Sequence, residues 1–331
     1  MKIKLFHKIP LVVALTLGLM AAGCQQSDVQ NVHNAPNQPE KSATDNALYP
    51  VEITHRLGKV SINALPEKVV ALDMNEVDFL DQLEIPIAGM VKDFIPHFLQ
   101  KYQNRDDIAD LGAIVQPNLD KVYGTKPDLI LATPLHDNQY AELSHIAPTL
   151  RYDIDFKSSD RQIEQVANHL RNLGKIFNKQ ELAERKIKEL KDEVKNIQNL
   201  TKDRPETALI ILHNNGAFSN FGLNSRYGFV FQELGVKPAV ASTEASLHGQ
   251  PISSEFINQA KPDILFIIDR TAVMEHKPVI NTQNVSNPLL KQTPAWQNNK
   301  VVFVDADAWY TTAASPTSIA IIINDVAKAY R

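Results

Sequence analysis

Lys126-Pro-Asp-Leu-Ile-Leu-Ala132 is the stretch on which the fold of this chain turns, because a second version of it stands at Lys261-Pro-Asp-Ile-Leu-Phe-Ile-Ile268. In each, lysine, proline and aspartate lead into an unbroken apolar run. Such a run, bounded by turn signals, reads as a strand covered on both faces, the kind found in a parallel sheet. The likeness extends backwards. Pro117-Asn-Leu-Asp120 precedes the first copy and Ser253-Ser-Glu255 the second, so an acidic residue stands seven positions before the proline in both. The segment between reads each time as a short amphipathic helix.

Working outward, each half holds an earlier apolar strand, Lys68-Val-Val-Ala-Leu in one and Ala208-Leu-Ile-Ile-Leu in the other. Each of these precedes a helix with similar punctuation, Phe79-Leu-Asp-Gln-Leu-Glu-Ile-Pro86 and Phe231-Gln-Glu-Leu-Gly-Val-Lys-Pro238. Two matches in the same order argue for duplicated α/β lobes. Between them, from Asp160 to about Leu200, apolar residues such as Ile187, Leu190, Val194 and Ile197 recur at helical spacing. Gly174 interrupts that pattern, and Asn178 is expected to cap a second helix. The expected boundaries are 51–155 for the first lobe, 156–203 for the linker helices and 204–331 for the second lobe. A helical connection is a poor hinge, so the lobes are expected to shift only slightly when ligand arrives.

The N-terminus carries an address. Lys2, Lys4 and Lys8 precede an apolar run from Ile9 to Ala22, and Ala21-Ala22-Gly23 lead into Cys24. The run falls short of the roughly 20 apolar residues a spanning helix needs, and its layout is that of a secretory signal over residues 1–23. Cys24 is the only cysteine in the chain. A lone thiol at the cleavage point marks a lipoprotein signal, with Cys24 lipidated as the new N-terminus. Residues 24–50, rich in Asn, Gln, Ser, Asp and Pro, read as a disordered tether. The protein is therefore expected outside the cytoplasm, lipid-anchored to a membrane. A formal net charge of −4 gives no sign of nucleic-acid binding.

Two α/β lobes, a helical connection and a lipoprotein signal together resemble the helix-linked solute-binding proteins of ABC importers. The resemblance is closest to the ferric-siderophore branch of the anguibactin and enterochelin type. It is carried by Asn224-Ser-Arg226-Tyr-Gly, Leu247-His248-Gly249-Gln250, Ile267-Ile-Asp-Arg270 and Ala308-Trp309-Tyr310. The resemblance implies two Rossmann-like lobes joined by a single long interdomain helix, the class III periplasmic binding protein fold, with a ligand cleft between the lobes. It implies a monomer that captures a ferric siderophore, catecholate or mixed catecholate, and delivers it to the permease. It also implies no permanent cofactor, the iron chelate being cargo. Asp120 and Glu255 correspond to the carboxylates that dock permease arginines, Asp120 standing where glutamate is commoner. His248 and Tyr310 correspond to residues that complete iron coordination, and Arg226 and Arg270 to those that face the anionic chelate. A family arginine just after the first Lys-Pro-Asp strand has no counterpart in Thr133-Pro-Leu-His136-Asp-Asn, which leaves His136 as the first-lobe candidate.

The chemistry of the cargo fits these residue types. Ferric ion seeks six hard donors, so a tetradentate siderophore leaves two positions, which a phenolate and an imidazole can fill. Arginine offers a permanently charged, planar fork of donors to an anionic chelate. Tyr227, Trp309 and Phe221 are candidates for the cleft wall and equally for the core. From the residues alone His248 is either a loop residue or a donor. No nucleophile elbow, phosphate-binding glycine loop or paired-histidine helix stands in the chain, which argues against an enzyme. Haem, cobalamin and ferric hydroxamates are the alternative cargoes on the same fold.

Overall fold

The computed structural model describes residues 48–155, 161–241, 248–275, 280–285 and 287–331. The expected signal and tether, with Cys24, lie outside them apart from Leu48 to Pro50, and so does Leu247. The described chain begins with a hairpin, β1 (Val51–His55) and β2 (Gly58–Ile62), which buries alternate side chains. Three strands follow, β3 (Val69–Ala71), β4 (Gly89–Met90) and β5 (Ala109–Asp110), with α1 (Met74–Gln82) after β3. A small hairpin, β6 (Gly112–Ala113) and β7 (Gln116–Pro117), leads to α2 (Leu119–Thr125). Then come β8 (Leu129–Ala132), α3 (Tyr140–Ile146) and β9 (Thr149–Arg151). The five longer-range partners form one all-parallel sheet in the order β5-β4-β3-β8-β9. Their continuous apolar character follows from burial on both faces.

The connection consists of α4 (Gln162–Ile176) and α5 (Gln180–Thr201), packed side by side. Gly174 does not interrupt the helix. It lies inside α4 because a Cβ there would come within 2.7 Å of the Ala183 Cβ, so glycine lets the two helices touch. Nor does Asn178 cap α5. It takes the left-handed conformation (φ 54°) in the turn between the helices, and Lys179 holds the cap position without a side-chain bond. Asparagine tolerates the left-handed conformation at a helix stop better than most residues with a side chain.

The second lobe opens with β10 (Thr207–Asn214) and β11 (Ala217–Phe221), an antiparallel pair, then α6 (Gly228–Gln232), β12 (Lys237–Pro238) and β13 (Gln250–Ile252). There follow α7 (Ser254–Ala260), β14 (Ile264–Asp269), α8 (Arg270–Glu275), α9 (Pro288–Lys291), α10 (Pro294–Gln297), β15 (Val301–Phe303) and α11 (Pro316–Lys328). Its sheet runs β13-β11-β10-β14-β15, with β12 beside the start of β10. The centre is parallel, as expected, but β11 and β13 add an antiparallel edge. The lobes are thus related at their centres and differ at one edge.

The repeat has a physical cause. Asn118 caps α2 and Ser253 caps α7, while Lys126 and Lys261 end those helices in the left-handed conformation (φ 51° and 45°). The buried prolines then aim the chain into β8 and β14. Asp128 accepts bonds from the Glu67 and Lys68 amides at 2.9 Å, just ahead of β3. Asp263 likewise accepts from the Thr207 amide at 2.9 Å, at the head of β10. Each aspartate therefore staples two neighbouring parallel strands at the same register. Asp120 and Glu255 occupy the second position of their helices and are exposed.

The lobes are locked by caps exchanged between them. Glu233, after α6, accepts from the Gln162 and Ile163 amides at 2.7 and 3.2 Å, at the N-terminus of α4. In the other direction Asp78 of α1 accepts from the amide and hydroxyl of Thr317, at 2.8 and 2.6 Å, in the first turn of α11. Nearby, Asn75 accepts from the Ala314 amide at 3.1 Å, and the Tyr152 hydroxyl donates to the Ala314 carbonyl at 2.8 Å. Helix N-termini favour anions, yet Asp78 is fully buried, and burial pushes its carboxyl up to about 6 against the pull of the Thr317 bonds. The folded protein takes up this proton as pH falls through 6, whereas the unfolded chain takes it up only near its ordinary value of about 3.9. Asp78 therefore contributes more to stability as pH falls through that window. Measured by urea denaturation, wild type should gain about 1–3 kcal/mol over Asp78→Asn between pH 7 and 4.5; a difference that stays constant with pH contradicts this.

Candidate functional site

After β15 the chain makes a single π-helical turn, Asp307–Thr312, ended by Ala313 at φ 62°. Both features are uncommon, and both gather at functional sites. Tyr310 sits in that turn, half-buried, with two arginines on it. The Arg226 guanidinium donates to its carbonyl at 2.9 Å. Arg270 Nε donates to its phenol oxygen at 2.8 Å, and Arg270 Nη1 donates to Asn214 Oδ1 at 3.2 Å. Arg270 follows directly on β14 and Asn214 ends β10, so both stand at the carboxyl edge of the central parallel strands, where ligands of α/β sheets gather. Among the described residues neither arginine is paired with a carboxylate; their acceptors are neutral oxygens. Arg270 at its phenol oxygen and Arg226 at its carbonyl bring two half-buried positive charges to Tyr310, a seat that can hold an anion.

Tyr227 and Trp309 lie beneath this seat and do not line it. Both are fully buried. The Tyr227 hydroxyl donates to the Trp309 carbonyl at 2.6 Å, and Trp309 Nε1 donates to Asp325 at 3.0 Å. Burial pushes the Tyr227 phenol up to about 12. Phe221 packs edge-on against Tyr227 with ring centres 4.7 Å apart, and it too is buried. These rings make the floor that fixes the π turn, which is the core reading of residues that the sequence left open.

His248 is exposed and stands just before β13. The backbone behind it is tightly held. Gly249 takes φ 76°, and a Cβ there would lie 3.0 Å from the Asn220 carbonyl, the Phe221 ring and the Ser219 Cβ. Among the described residues no bond joins His248 to Tyr310.

In the first lobe His136 cannot serve as the replacement for the missing arginine. It is buried, Nδ1 accepts from the Thr133 amide at 3.1 Å, and Nε2 bonds the Ile114 carbonyl at 2.9 Å. With both nitrogens engaged and burial pushing its pKa down, it is a neutral clamp between two loops. What those loops do present is apolar: Val115 and Leu135 are 66% and 50% exposed. A first-lobe residue that sequence reasoning missed is His97, which reaches across to Asp307 of the π turn. Asn214 was also missed, although its place at a strand's carboxyl end was a usable signal.

The chain belongs to the periplasmic binding protein family, whose profile matches residues 69–308. It is 62% identical to the ferric-anguibactin-binding protein FatB of Vibrio anguillarum over 283 residues, 85% of this chain and 88% of that one. Among solved structures it is similar to the siderophore-binding protein BauB bound to a complex of two acinetobactin molecules and ferric iron. That match has 60% identity and a TM-score of 0.81, over 86% of this chain and 99% of that one. The catecholate-siderophore-binding protein VctP of Vibrio cholerae matches with 30% identity and a TM-score of 0.79, over 84% and 99%. The fold is accordingly the class III periplasmic binding fold.

The support behind His248 can be tested apart from any ligand. Gly249→Ala should lower stability by about 1–3 kcal/mol, since a side chain at positive φ is strained and meets backbone. A urea midpoint within error of wild type contradicts the geometry.

Proposed function

We propose that this protein captures a ferric siderophore, catecholate or mixed catecholate, in the cleft between its lobes and hands it to the permease of an ABC importer. The observation that carries this reading is the pair of arginines on Tyr310 at the carboxyl edge of the second sheet, neither paired with a carboxylate among the described residues. A ferric catecholate is anionic, and its charge answers theirs. The relatives bind ferric anguibactin, acinetobactin with ferric iron and catecholate siderophores, which supports a ferric siderophore as the cargo here. A neutral ferric hydroxamate offers no negative charge for the two arginines to meet, and the relatives' named ligands are siderophores, not haem or cobalamin.

In this reading Arg226 and Arg270 hold the chelate, and Tyr310 and His248 fill the iron positions that a tetradentate siderophore leaves open. The phenol oxygen is half-buried and already engaged by a guanidinium, a donor matched to the negative charge a metal-bound phenolate carries. Tyr227 and Trp309 hold the turn from below. Asp120 and Glu255, exposed at matching places in α2 and α7, dock the permease. Each helix turns straight back into the strand that follows it, so both carboxylates belong to the carboxyl-edge side of their sheets, the side of the cleft. The protein acts as a monomer outside the cytoplasm, tethered through lipid on Cys24. Among the described residues no helix is long and apolar enough to cross a membrane.

Tyr310→Phe and His248→Ala should weaken binding of a tetradentate ferric catecholate about tenfold or more and leave a hexadentate one nearly unchanged, read by quenching of Trp fluorescence. Equal effects on both chelates remove the coordination role. Separately, the double variant Asp120→Ala, Glu255→Ala should abolish uptake in cells while the purified protein still binds its chelate. Unimpaired uptake contradicts the docking role.

A further inference from the structure

The π turn that carries Tyr310 is held from two sides. From its own lobe, Asp325 accepts from the Asp305 amide at 2.8 Å and from Trp309 Nε1 at 3.0 Å. Asp305 in turn accepts from the Ala308 amide at 2.8 Å through Oδ1. From the opposite lobe the hold is His97. Its amide donates to Asp307 Oδ2 at 2.8 Å, its ring Nδ1 lies 3.2 Å from the same oxygen, and its Nε2 lies 3.6 Å from Asp305 Oδ2. Asp307 is the first residue of the π turn.

His97 begins a short 3₁₀ segment, His97–Tyr102, that follows the carboxyl end of β4. The loop leading to it is built stiffly. Phe94 takes the left-handed conformation at φ 54°, a strained geometry for a bulky side chain, and Asp93 accepts from the Ile114 amide at 2.8 Å. The His97 side chain is 56% exposed, so it spans between the lobes at a wet edge and not in the core. Burial in the junction is supplied elsewhere, by Asp78, Asn75 and Tyr152. The strut therefore adds little to the core and acts on the one segment of the second lobe that carries the phenol.

We propose that His97 is a positioning residue for the ligand site: its strut to Asp307 fixes the π turn, and so the Tyr310 oxygen, from the first lobe. This gives the first lobe a part in coordination although no first-lobe side chain is assigned to the iron. It rests on the reading of Tyr310 as an iron donor. The coupling runs through one carboxylate, so Asp307 and His97 should act as a unit.

The test uses the full-length protein and two ferric probes, a bis-catecholamide with four donors and a tris-catecholamide with six. Binding affinity and the visible absorption band of the bound bis-catecholamide complex are read for wild type, His97→Ala, His97→Gln, Asp307→Asn and Tyr310→Phe. His97→Ala keeps its amide bond to Asp307, so it should weaken the four-donor probe about threefold. Asp307→Asn, which alters both limbs of the strut, should weaken it about tenfold. Both should move the band toward that of Tyr310→Phe, and His97→Gln, which keeps a side-chain donor, should restore much of it. The six-donor probe should bind all variants alike. An unchanged band and affinity in His97→Ala and Asp307→Asn, with Tyr310→Phe altered, overturns the strut. Equal weakening of both probes overturns it as well. If Tyr310→Phe leaves the band unchanged, the donor reading fails and the strut falls with it.

Discussion

The parts of this molecule are held together where they meet by two buried carboxylates that cap helices they do not belong to. Asp78 takes the first-turn amide and hydroxyl of Thr317 across the junction, and Glu233 takes the first amides of α4 in return. A carboxylate accepting from backbone amides at a helix N-terminus gains from charge-assisted bonds and from the helix dipole, and loses by desolvation. For Asp78 the desolvation side is heavy enough to push its carboxyl up to about 6. The arrangement is specific for that reason. A buried carboxylate has few acceptable positions, so it fixes where α11 begins relative to α1, and α11 follows the π turn within a few residues. The linker helices add a second constraint through the Gly174–Ala183 contact, which leaves no room for a side chain.

The site is asymmetric in chemistry. The second lobe supplies fixed positive charge, a phenol and a floor of buried rings. The first supplies exposed aliphatic side chains, Val115 and Leu135, and one histidine that reaches across. Half-buried arginines with no carboxylate partner among the described residues carry a desolvation cost that an anion would offset. Tyr310 is bonded at both its carbonyl and its hydroxyl, so the fold already fixes its position.

Much of the fold was legible because its cause is local. The Lys-Pro-Asp repeat encodes a helix stop, a turn and a strand within a few residues, while the stapling by its aspartates was not read from the spacing and shows only in the structure. Arg270 could be placed because a strand's carboxyl end is visible in sequence. What could not be read depends on partners far away in the chain. Asp78 and Thr317 are 239 positions apart, His97 and Asp307 are 210, and no periodicity connects them. Trp309 and Tyr227 adjoin functional residues in sequence yet point into the core, since neighbours along a chain need not share a face. His136 looked like a ligand-facing histidine because its role, joining the Thr133 and Ile114 backbones, leaves no trace in residue type. Asn178 suited two different helix signals, and only the backbone decided between them.

The central claim is that the cleft is built for an anionic iron chelate. It is tested most directly by titrating the purified protein, on one day and in one buffer, with ferric catecholate, iron-free catecholate, ferric hydroxamate, haem and cobalamin, following Trp fluorescence. The account predicts saturable quenching at one ferric catecholate per chain, at concentrations where the other four have no effect. Tighter binding of the neutral hydroxamate, of haem or of cobalamin, or equal binding of the iron-free catecholate, would contradict it.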